Sequence, residues 1–411
     1  MRDTLLDCFQ KTLQMIHGEH CVQQALAQHP ISEKQCNVVA IGKAAQAMAQ
    51  GAEKVLAKNL MNGLLITKHQ HSDSGALSSC WQCHEASHPV PDETSLAAGR
   101  YLLEFIETHD DLPILFLISG GASSLVEVLP AHISLAQWQA LNNWLLASGL
   151  DISSINSVRK TVSGIKGGKL LGYLHDRDIH ALMISDVPGD QVHVIGSGLL
   201  FNVAHEQTLN SNIKMPDWIN DLIDNPDRSG INTVQGQLAS QQIIASNRLA
   251  MQSAADIMRQ AGYPVYWHDE FFGGDTGQTA AELANYLQND AEPGFHIWGG
   301  ETTMILPQKP GRGGRNQHLA LAAAYALAGN EQVTLLAAGT DGTDGPTEDA
   351  GAIVDGGTIA RGQLAGLEVE EHLTHADSGR FLEASGDLLY TGPTGTNVMD
   401  LVMAIKTAKT A

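Results

Sequence analysis

Positive charge is scarce in this chain: 24 Lys and Arg stand against 45 Asp and Glu, a formal net charge of -21 over 411 residues. That balance argues against nonspecific binding to nucleic acid or to an anionic membrane surface. A site for an anionic small molecule must therefore concentrate its few cations locally. Long apolar runs are missing too, and no stretch approaches the length of a membrane span. The opening segment, MRDTLLDCFQKTLQMIHGEH, is amphipathic and interrupted by charge, so it reads as a helix and not as a signal peptide. A cytoplasmic protein is the expectation. Cysteine is sparse: Cys8, Cys21, Cys36, Cys80 and Cys83 are odd in number and confined to the first quarter, which is no disulfide framework. Cys80 and Cys83 form a lone CxxC with His84 and His88 close behind. A zinc site would want a second pair, and the half-apolar stretch around it equally suits an edge strand. The Walker pattern GxxxxGK[ST] and the nucleophile elbow GxSxG are both absent.

The length suggests two domains, or three, and the alternation of strand and helix signals argues α/β layers with a largely parallel sheet in each half. Glycine is what the chain has in quantity, 41 residues, much of it where an apolar strand runs out. Asn37–Ile41 runs into Gly42-Lys43 and a helix from Ala44, which sets the Lys43 ammonium at a helix start on the carboxyl edge of a sheet. Gly63–Thr67 is a second strand, and His88-Pro89-Val90-Pro91-Asp92 a rigid extended segment with Asp92 placed to cap the next helix. Leu112–Ile118 ends in Ser119-Gly120-Gly121-Ala122-Ser123-Ser124, a turn that offers backbone and hydroxyl donors to an anion. Arg159, Lys160, Lys166 and Lys169 make the most basic window, with Arg159 and Lys166 expected on one helix side. Ala181–Ile184 leads to Ser185-Asp186-Val187-Pro188-Gly189-Asp190, where Asp186 and Asp190 are candidate magnesium ligands or simple turn-formers.

Residues 201–240 are polar and weakly patterned, and a domain boundary is placed there. Gln242–Ala245, Pro264–Trp267 and Phe295–Trp298 then read as strands. The stretch Gly299–Gln317, GGETTMILPQKPGRGGRNQ, joins the last of these to an Ala- and Leu-rich helix beginning near Asn316. Its glycines permit close backbone approach, the helix start favours an anion, and Arg315 offers a planar donor fork for phosphate or carboxylate. Arg312 reads as a peripheral charge. Asp341 and Asp344, in the loop after Val333–Ala337, could hold a metal, orient a hydroxyl or turn the chain, and Thr391–Asn397 is a rigid, donor-rich motif before a final apolar segment.

These runs resemble a known family. Ile41–Ala45, His88–Asp92, Ser119–Ser124, Asn156–Lys169 and Ser185–Asp190 are similar to the N-terminal domain of the glycerate 2-kinases. Gly299–Thr303, Gly311–Gln317, Gly339–Pro346 and Thr391–Asn397 are similar to their MOFRL domain. The likeness spans nearly the whole chain in order, with one departure: Ser197-Gly198-Leu199 stands where the family usually has Ser-Gly-Pro. The resemblance implies two α/β domains, a Rossmann-like one over 1–235, joined by 400–411, and a smaller MOFRL-type one over 236–399, with the active site in the cleft between them. It implies phosphorylation of D-glycerate at its 2-hydroxyl by ATP with Mg²⁺, giving 2-phosphoglycerate, with Lys43 and Arg315 catalytic. Ser119, Gly120, Gly121, Ser123, Ser124, Arg159, Lys166, Glu301, Gly313, Gly314, Asn316 and Asp341 would then bind substrate or ATP. Asp186, Asp190 or Asp341 would hold the metal or accept the hydroxyl proton. The partners are small molecules and not nucleic acid or membrane, and a homodimer is left open. The family has often carried the label hydroxypyruvate reductase, but a dinucleotide fingerprint is missing, since Gly311-Arg312-Gly313-Gly314-Arg315 fails the GxGxxG spacing. A non-catalytic sensor of sugar acids or nucleotides is the other rival, made unattractive by intact Lys43 and Arg315.

Overall fold

The computed structural model describes residues 1–31, 35–148, 150, 152–175, 177–201, 215–224 and 238–408. The chain forms two compact units, Gly18–Ile244 and a second made of Met1–His17 with Ala245–Ala411.

The first unit is built on β1 (Cys36–Ile41), β2 (Leu60–Lys68), β3 (Trp81–Ala86), β4 (Ile114–Ile118), β5 (Ile179–Ile184) and β6 (Leu238–Ala245). They lie in the order β3-β2-β1-β4-β5-β6, and every pair from β3 across to β5 is parallel. The composition explains this. β1 and β4 are buried along their whole length, as strands covered on both faces must be. Val39, Ile41, Phe116 and Ile118 pack with Leu102, Phe105 and Ile106 of the helix Glu93–Thr108. Asp92 begins that helix with a reciprocal capping box to Ser95, as its position in the sequence predicts. Strand order reverses between β1 and β4, whose last residues Ile41 and Ile118 are paired. This is the Rossmann order, and the crevice beyond the carboxyl ends at that reversal is where such sheets hold ligands.

β3 lies at the sheet edge and includes Cys83, so the CxxC sits on an edge strand, with both its cysteines free and partly exposed. β6 is a correction to the domain boundary: Leu238–Ala245, expected to open the second domain, is the sixth strand of the first sheet. Most of the weakly patterned segment 201–240 lies outside the described residues.

The second unit is built on β7 (Val265–Trp267), β8 (Gly294–Gly300), β9 (Val333–Gly339), β10 (Gly351–Asp355), β11 (Leu388–Leu389) and β12 (Asp400–Lys406), in the order β11-β10-β9-β12-β8-β7. Only β7 and β8 run parallel; β8 with β12, β12 with β9, β9 with β10 and β10 with β11 are antiparallel. The expectation of a largely parallel sheet fails here, because a central strand buried on both faces has the same apolar run in either direction. Joining 400–411 to the first domain also fails: β12 lies between β8 and β9, and its residues are buried from Asp400 to Ile405. The helix Arg2–Met15 belongs to this unit as well. Leu5, Cys8 and Phe9 are fully buried there, Cys8 Sγ lies 3.8 Å from Ala254 O, and Arg2 bridges Asp355 and Asp387. Among the described residues no helix is long and apolar enough to cross a membrane.

Candidate active site

In the first unit the loops after β1 and β4 are stitched together. Ser119 N–H donates to Ile41 O at 3.0 Å and Lys43 N–H to Gly120 O at 2.9 Å, while Ala44 N–H donates to the Ser119 hydroxyl at 3.1 Å. Gly42 is needed for this: its φ is +132°, and a Cβ there would sit 2.1 Å from Ser119 Oγ. Ser119 thus spends its hydroxyl fixing the turn that carries Lys43. Gly121, at φ +84°, starts the short helix Ala122–Leu125. A Cβ on Gly121 would lie 3.0 Å from Cδ2 and 3.1 Å from Nε2 of His88, and 3.2 Å from Cγ of Lys43. The bare backbone of the loop, the lysine stem and an imidazole therefore meet at one point of the crevice.

The other predicted residues of this unit have partners that define their roles. Ser123 Oγ shares a 2.6 Å hydrogen bond with Ser197 Oγ, and Ser124 Oγ donates to Gly121 O. Gly167 and Gly168 N–H donate to Ser197 O and Gly198 O, so the basic window is laced to the loop around Ser197. Leu199, the departure from the family pattern, is fully buried in the main core. Arg159 and Lys166 do not share a helix side, because the helix Ile152–Thr161 ends between them. Arg159 Nε donates to Asn142 Oδ1 at 2.9 Å, and burial lowers its pKa while Glu127 opposes that. Lys166 is 2 % exposed and forms a 2.6 Å ion pair with Glu127, itself 1 % exposed. That buried partner leaves Lys166 no open face for a ligand. Lys160 and Lys169 donate to backbone carbonyls, the latter closing the end of that helix at Lys160 O, Thr161 O and Ser163 O. Asp186 and Asp190 lie half-buried in the loop after β5.

In the second unit the predicted residues gather where β8 and β9 end and β12 begins. Arg315 is the first residue of the helix Arg315–Ala326. Its Nη1 donates to Thr302 O at 2.6 Å, and its Nη2 lies 2.7 Å from Glu301 Oε1 and 3.5 Å from Asp400 Oδ2. The helix start is not vacant, contrary to the expected anion nest. Asp344 reaches across from the next loop, Oδ1 accepting from Asn316 N–H at 3.1 Å and Oδ2 from Gln317 N–H at 2.8 Å. Gly314 makes room for it, since a Cβ there would fall 2.2 Å from Asp344 Cγ, and Gly313 lies with φ +152° beside Gly379 N. The glycines of this stretch serve packing of the protein on itself. The same holds for Gly299 and Gly300, whose absent Cβ atoms would meet Asn247 Oδ1 at 1.7 Å and Phe272 O at 1.9 Å. Asp341 accepts from Thr343 N–H and Oγ1 at 3.1 and 3.0 Å, a turn-forming role that still leaves it half-buried. Thr394 Oγ1 donates to Thr340 O, which fastens the Thr391–Asn397 motif onto the Gly339–Pro346 loop. Arg312 is held by Asp349 and Glu383, away from this cluster of charges.

Two carboxyl groups here are strongly perturbed. Burial pushes Asp344 up to about 6, against the opposing pull of the Gln317 and Asn316 hydrogen bonds and of Arg315. Burial pushes Asp400 up to about 7, with Arg315 lowering it and Glu301 raising it. Sequence reasoning left Asp400 and His88 off the site and gave Asp344 no capping role. The signals available were an acid opening an otherwise apolar strand, and a histidine on a proline-stiffened segment.

The fold and these strand-end loops define a two-unit α/β protein with a Rossmann-ordered sheet and a cation held over a glycine-rich loop at its reversal point. Residues 4–215 match a domain of unknown function, DUF4147, and residues 294–400 match the MOFRL family. A D-glycerate 2-kinase of Thermotoga maritima is 33 % identical over 98 % of both chains. A glycerate 2-kinase of Pyrococcus horikoshii is 35 % identical over 90 % of this chain and 87 % of its own. A crystal structure of a Thermotoga maritima glycerate kinase superposes with a TM-score of 0.86 at 32 % identity, covering 99 % of each chain. The chain belongs to the MOFRL glycerate kinase family.

Proposed function

We propose that this protein transfers the γ-phosphoryl group of ATP to the 2-hydroxyl of D-glycerate, releasing ADP and 2-phosphoglycerate. The observation that carries this reading is the setting of Lys43: its backbone is locked to the Ser119–Gly121 loop at the point where strand order reverses. Relatives that match over 98 % and 90 % of the chain and are named D-glycerate 2-kinase and glycerate 2-kinase support the reaction class.

Phosphoryl transfer asks for alignment and charge stabilisation more than covalent chemistry from the protein. Lys43 supplies positive charge to the equatorial oxygens of the transferring group, and Arg315 offers its fork to a phosphate or carboxylate of the reactants. Arg315 is pre-aimed by Thr302 O, and of its carboxylate partners Glu301 is 46 % exposed and Asp400 6 %. Glu301 is thus the partner that yields to phosphate, while Asp400 stays and holds the fork. The backbone of Gly120 and Gly121 contributes close approach without side-chain bulk. Arg159, half-buried, is the cation of the basic window left for a substrate carboxylate or phosphate; Lys166 holds structure instead.

Among the described residues no group of three His, Cys, Asp or Glu stands ready to hold a metal alone. Magnesium arriving with ATP needs only one or two carboxylates, with phosphate and water completing its oxygen shell. The half-buried pair Asp186 and Asp190 fits that requirement, and Mg²⁺ there would neutralise charge on the β- and γ-phosphates. The test is ADP release from ATP with D-glycerate, coupled to enolase without phosphoglycerate mutase. Phosphoenolpyruvate is the expected product. A signal that needs the mutase would move the acceptor to the 3-hydroxyl, and oxidation of NADH or NADPH by hydroxypyruvate in place of ADP release would overturn the kinase reading.

A further inference from the structure

We propose that Asp400 is a positioning residue of this reaction, a buried carboxylate that aims the Arg315 fork at the anionic group it receives; the proposal deepens, and rests on, the D-glycerate kinase reading above. Asp400 opens β12 and is buried there. Its backbone is fixed without help from its side chain. It pairs with Gly300 of β8 on one side and Gly339 of β9 on the other, and Asn247 Nδ2 donates to its carbonyl at 3.0 Å. Met399 before it holds φ +68°, a backbone that ordinary side chains rarely take, and Thr340 N–H and Oγ1 donate to Met399 O at 3.0 and 2.6 Å. The strand therefore presents the carboxylate at a set place. The glycines on both sides of the rung bring no side chain to pair it.

Among the described residues Asp400 Oδ2 is buried with no hydrogen-bond partner, and the cation it faces is Arg315, whose Nη2 lies 3.5 Å away. Asn316 hydrogen-bonds the carboxylate, while Glu301 and Asp344 bring like charge to it. Asp341 adds another acid nearby: a Cβ on Gly339 would lie 3.4 Å from Asp400 Oδ1 and 3.5 Å from Asp341 Oδ1. An acid so placed burdens the fold, and burial first, then its acidic neighbours, raise it to about 7. A group that the strand ladder does not need, retained against its own desolvation, is a mark of function. The guanidinium is planar, so two divergent contacts fix its direction: Nη1 on Thr302 O at 2.6 Å, and Nη2 toward Asp400. Glu301 also holds Nη2, at 2.7 Å, but it gives way to an incoming phosphate or carboxylate. Thr302 O alone would then leave the fork free to turn about a single bond. Asp400 stays and prevents this, with no proton or bond changing hands on it.

Asp400→Asn keeps the shape of the side chain and removes its charge. Arg315 remains a cation, so anion binding persists while the aim is lost. In the ADP-release assay kcat should fall about 10²-fold, as a misplacement of about 1 Å brings, with KM for ATP and glycerate within about threefold. At about pH 8 the variant should melt no lower than wild type, because a desolvated charge has gone. A double-mutant cycle gives the readout that mere packing would not move. In the Arg315→Lys background, where there is no fork to aim, Asp400→Asn should slow kcat by less than about threefold. Near-normal kcat in Asp400→Asn alone overturns the proposal. So does a slow variant whose loss is equally large beside Arg315→Lys, or one that melts well below wild type at about pH 8, either of which makes Asp400 a residue of the fold only. Wild-type protein that releases no ADP with glycerate overturns the kinase reading itself, so the two failures are distinct.

Discussion

Lys166→Met tests whether the most basic window of an acidic protein serves ligand or fold. The substitution keeps most of the side-chain volume and removes the ammonium 2.6 Å from Glu127 Oε2. Glu127 Oε1 would still accept from Ser163 Oγ at 2.6 Å and Val128 N–H at 3.0 Å, but Oε2 would lose its paired ammonium at a position with 1 % exposure, with the charge of Arg159 as partial compensation. Stranding one member of a buried pair costs about 3–5 kcal/mol, whereas an exposed lysine lost from a ligand site would cost about 0.5 kcal/mol or less. In a domain of this size 1 kcal/mol moves the melting point by about 2–4 °C, so the transition should fall by roughly 6–20 °C. Scanning calorimetry reads this directly. Glu127→Gln combined with Lys166→Met should recover part of the loss, because no charge is then stranded. A Lys166→Met protein melting within about 2 °C of wild type, with KM for glycerate or ATP raised tenfold, would refute the reasoning and return Lys166 to the substrate.

Lys43→Ala should lower kcat by about 10²-fold or more with a smaller change in KM for glycerate, as loss of a preorganised charge does; near-normal kcat removes Lys43 from the chemistry. Arg315→Lys keeps the charge but cannot hold Thr302 O, Glu301 and Asp400 in one fork, so it should fold, bind ATP and turn over slowly. Arg312→Lys, whose side chain is 45 % exposed between Asp349 and Glu383, should cost at most about 1 kcal/mol and leave kcat unchanged; equal activity of both variants would mean that only general charge matters. Asp344 and Asp400, raised to about 6 and about 7, favour the folded state most when protonated. Their contribution is full below about pH 4 and is lost as pH rises through those values, so Asp400→Asn should flatten stability between about pH 4 and 7 in denaturant titrations, and an unchanged pH slope would contradict the burial assignment.

The first sheet was largely legible because its central parallel strands couple an apolar run to a chemical stop. β1 ends at Gly42-Lys43, β4 at Ser119-Gly120-Gly121, and the cap at Asp92 stands three residues before Ser95, as local capping requires. The second sheet was legible as strands but not as a pairing. Asp400–Lys406 is apolar whether it lies parallel or antiparallel, at an edge or at the centre, and only its neighbours β8 and β9 decide. Side-chain partners far apart in sequence were hidden for the same reason. Asp344 caps a helix 28 residues before it, and Glu127 meets Lys166 across 39 residues. Charge at a loop is visible in a sequence; whether a fold turns that charge inward is not. Arg315 and Lys166 differ in this way, the one keeping a half-exposed carboxylate partner and the other a buried one.

The place of β12 bears on how the molecule is made. The second sheet has β12 at its centre, and the helix Arg2–Met15 packs into the same unit. On a ribosome that helix emerges before its partners in residues 245–406, which follow only after the whole of Gly18–Ile244 has been synthesised. The first unit can pair its parallel strands while the chain is still growing, whereas β8 and β9 have no shared neighbour until Asp400–Lys406 arrives. Until then the apolar face of the first helix, with Leu5, Cys8 and Phe9, must wait exposed or be held by a chaperone. Segments far apart in the sequence, Arg2–Met15 and Asp400–Lys406, thus set the pace of assembly for one half of the protein, and the residues between His17 and Ala245 set it for the other.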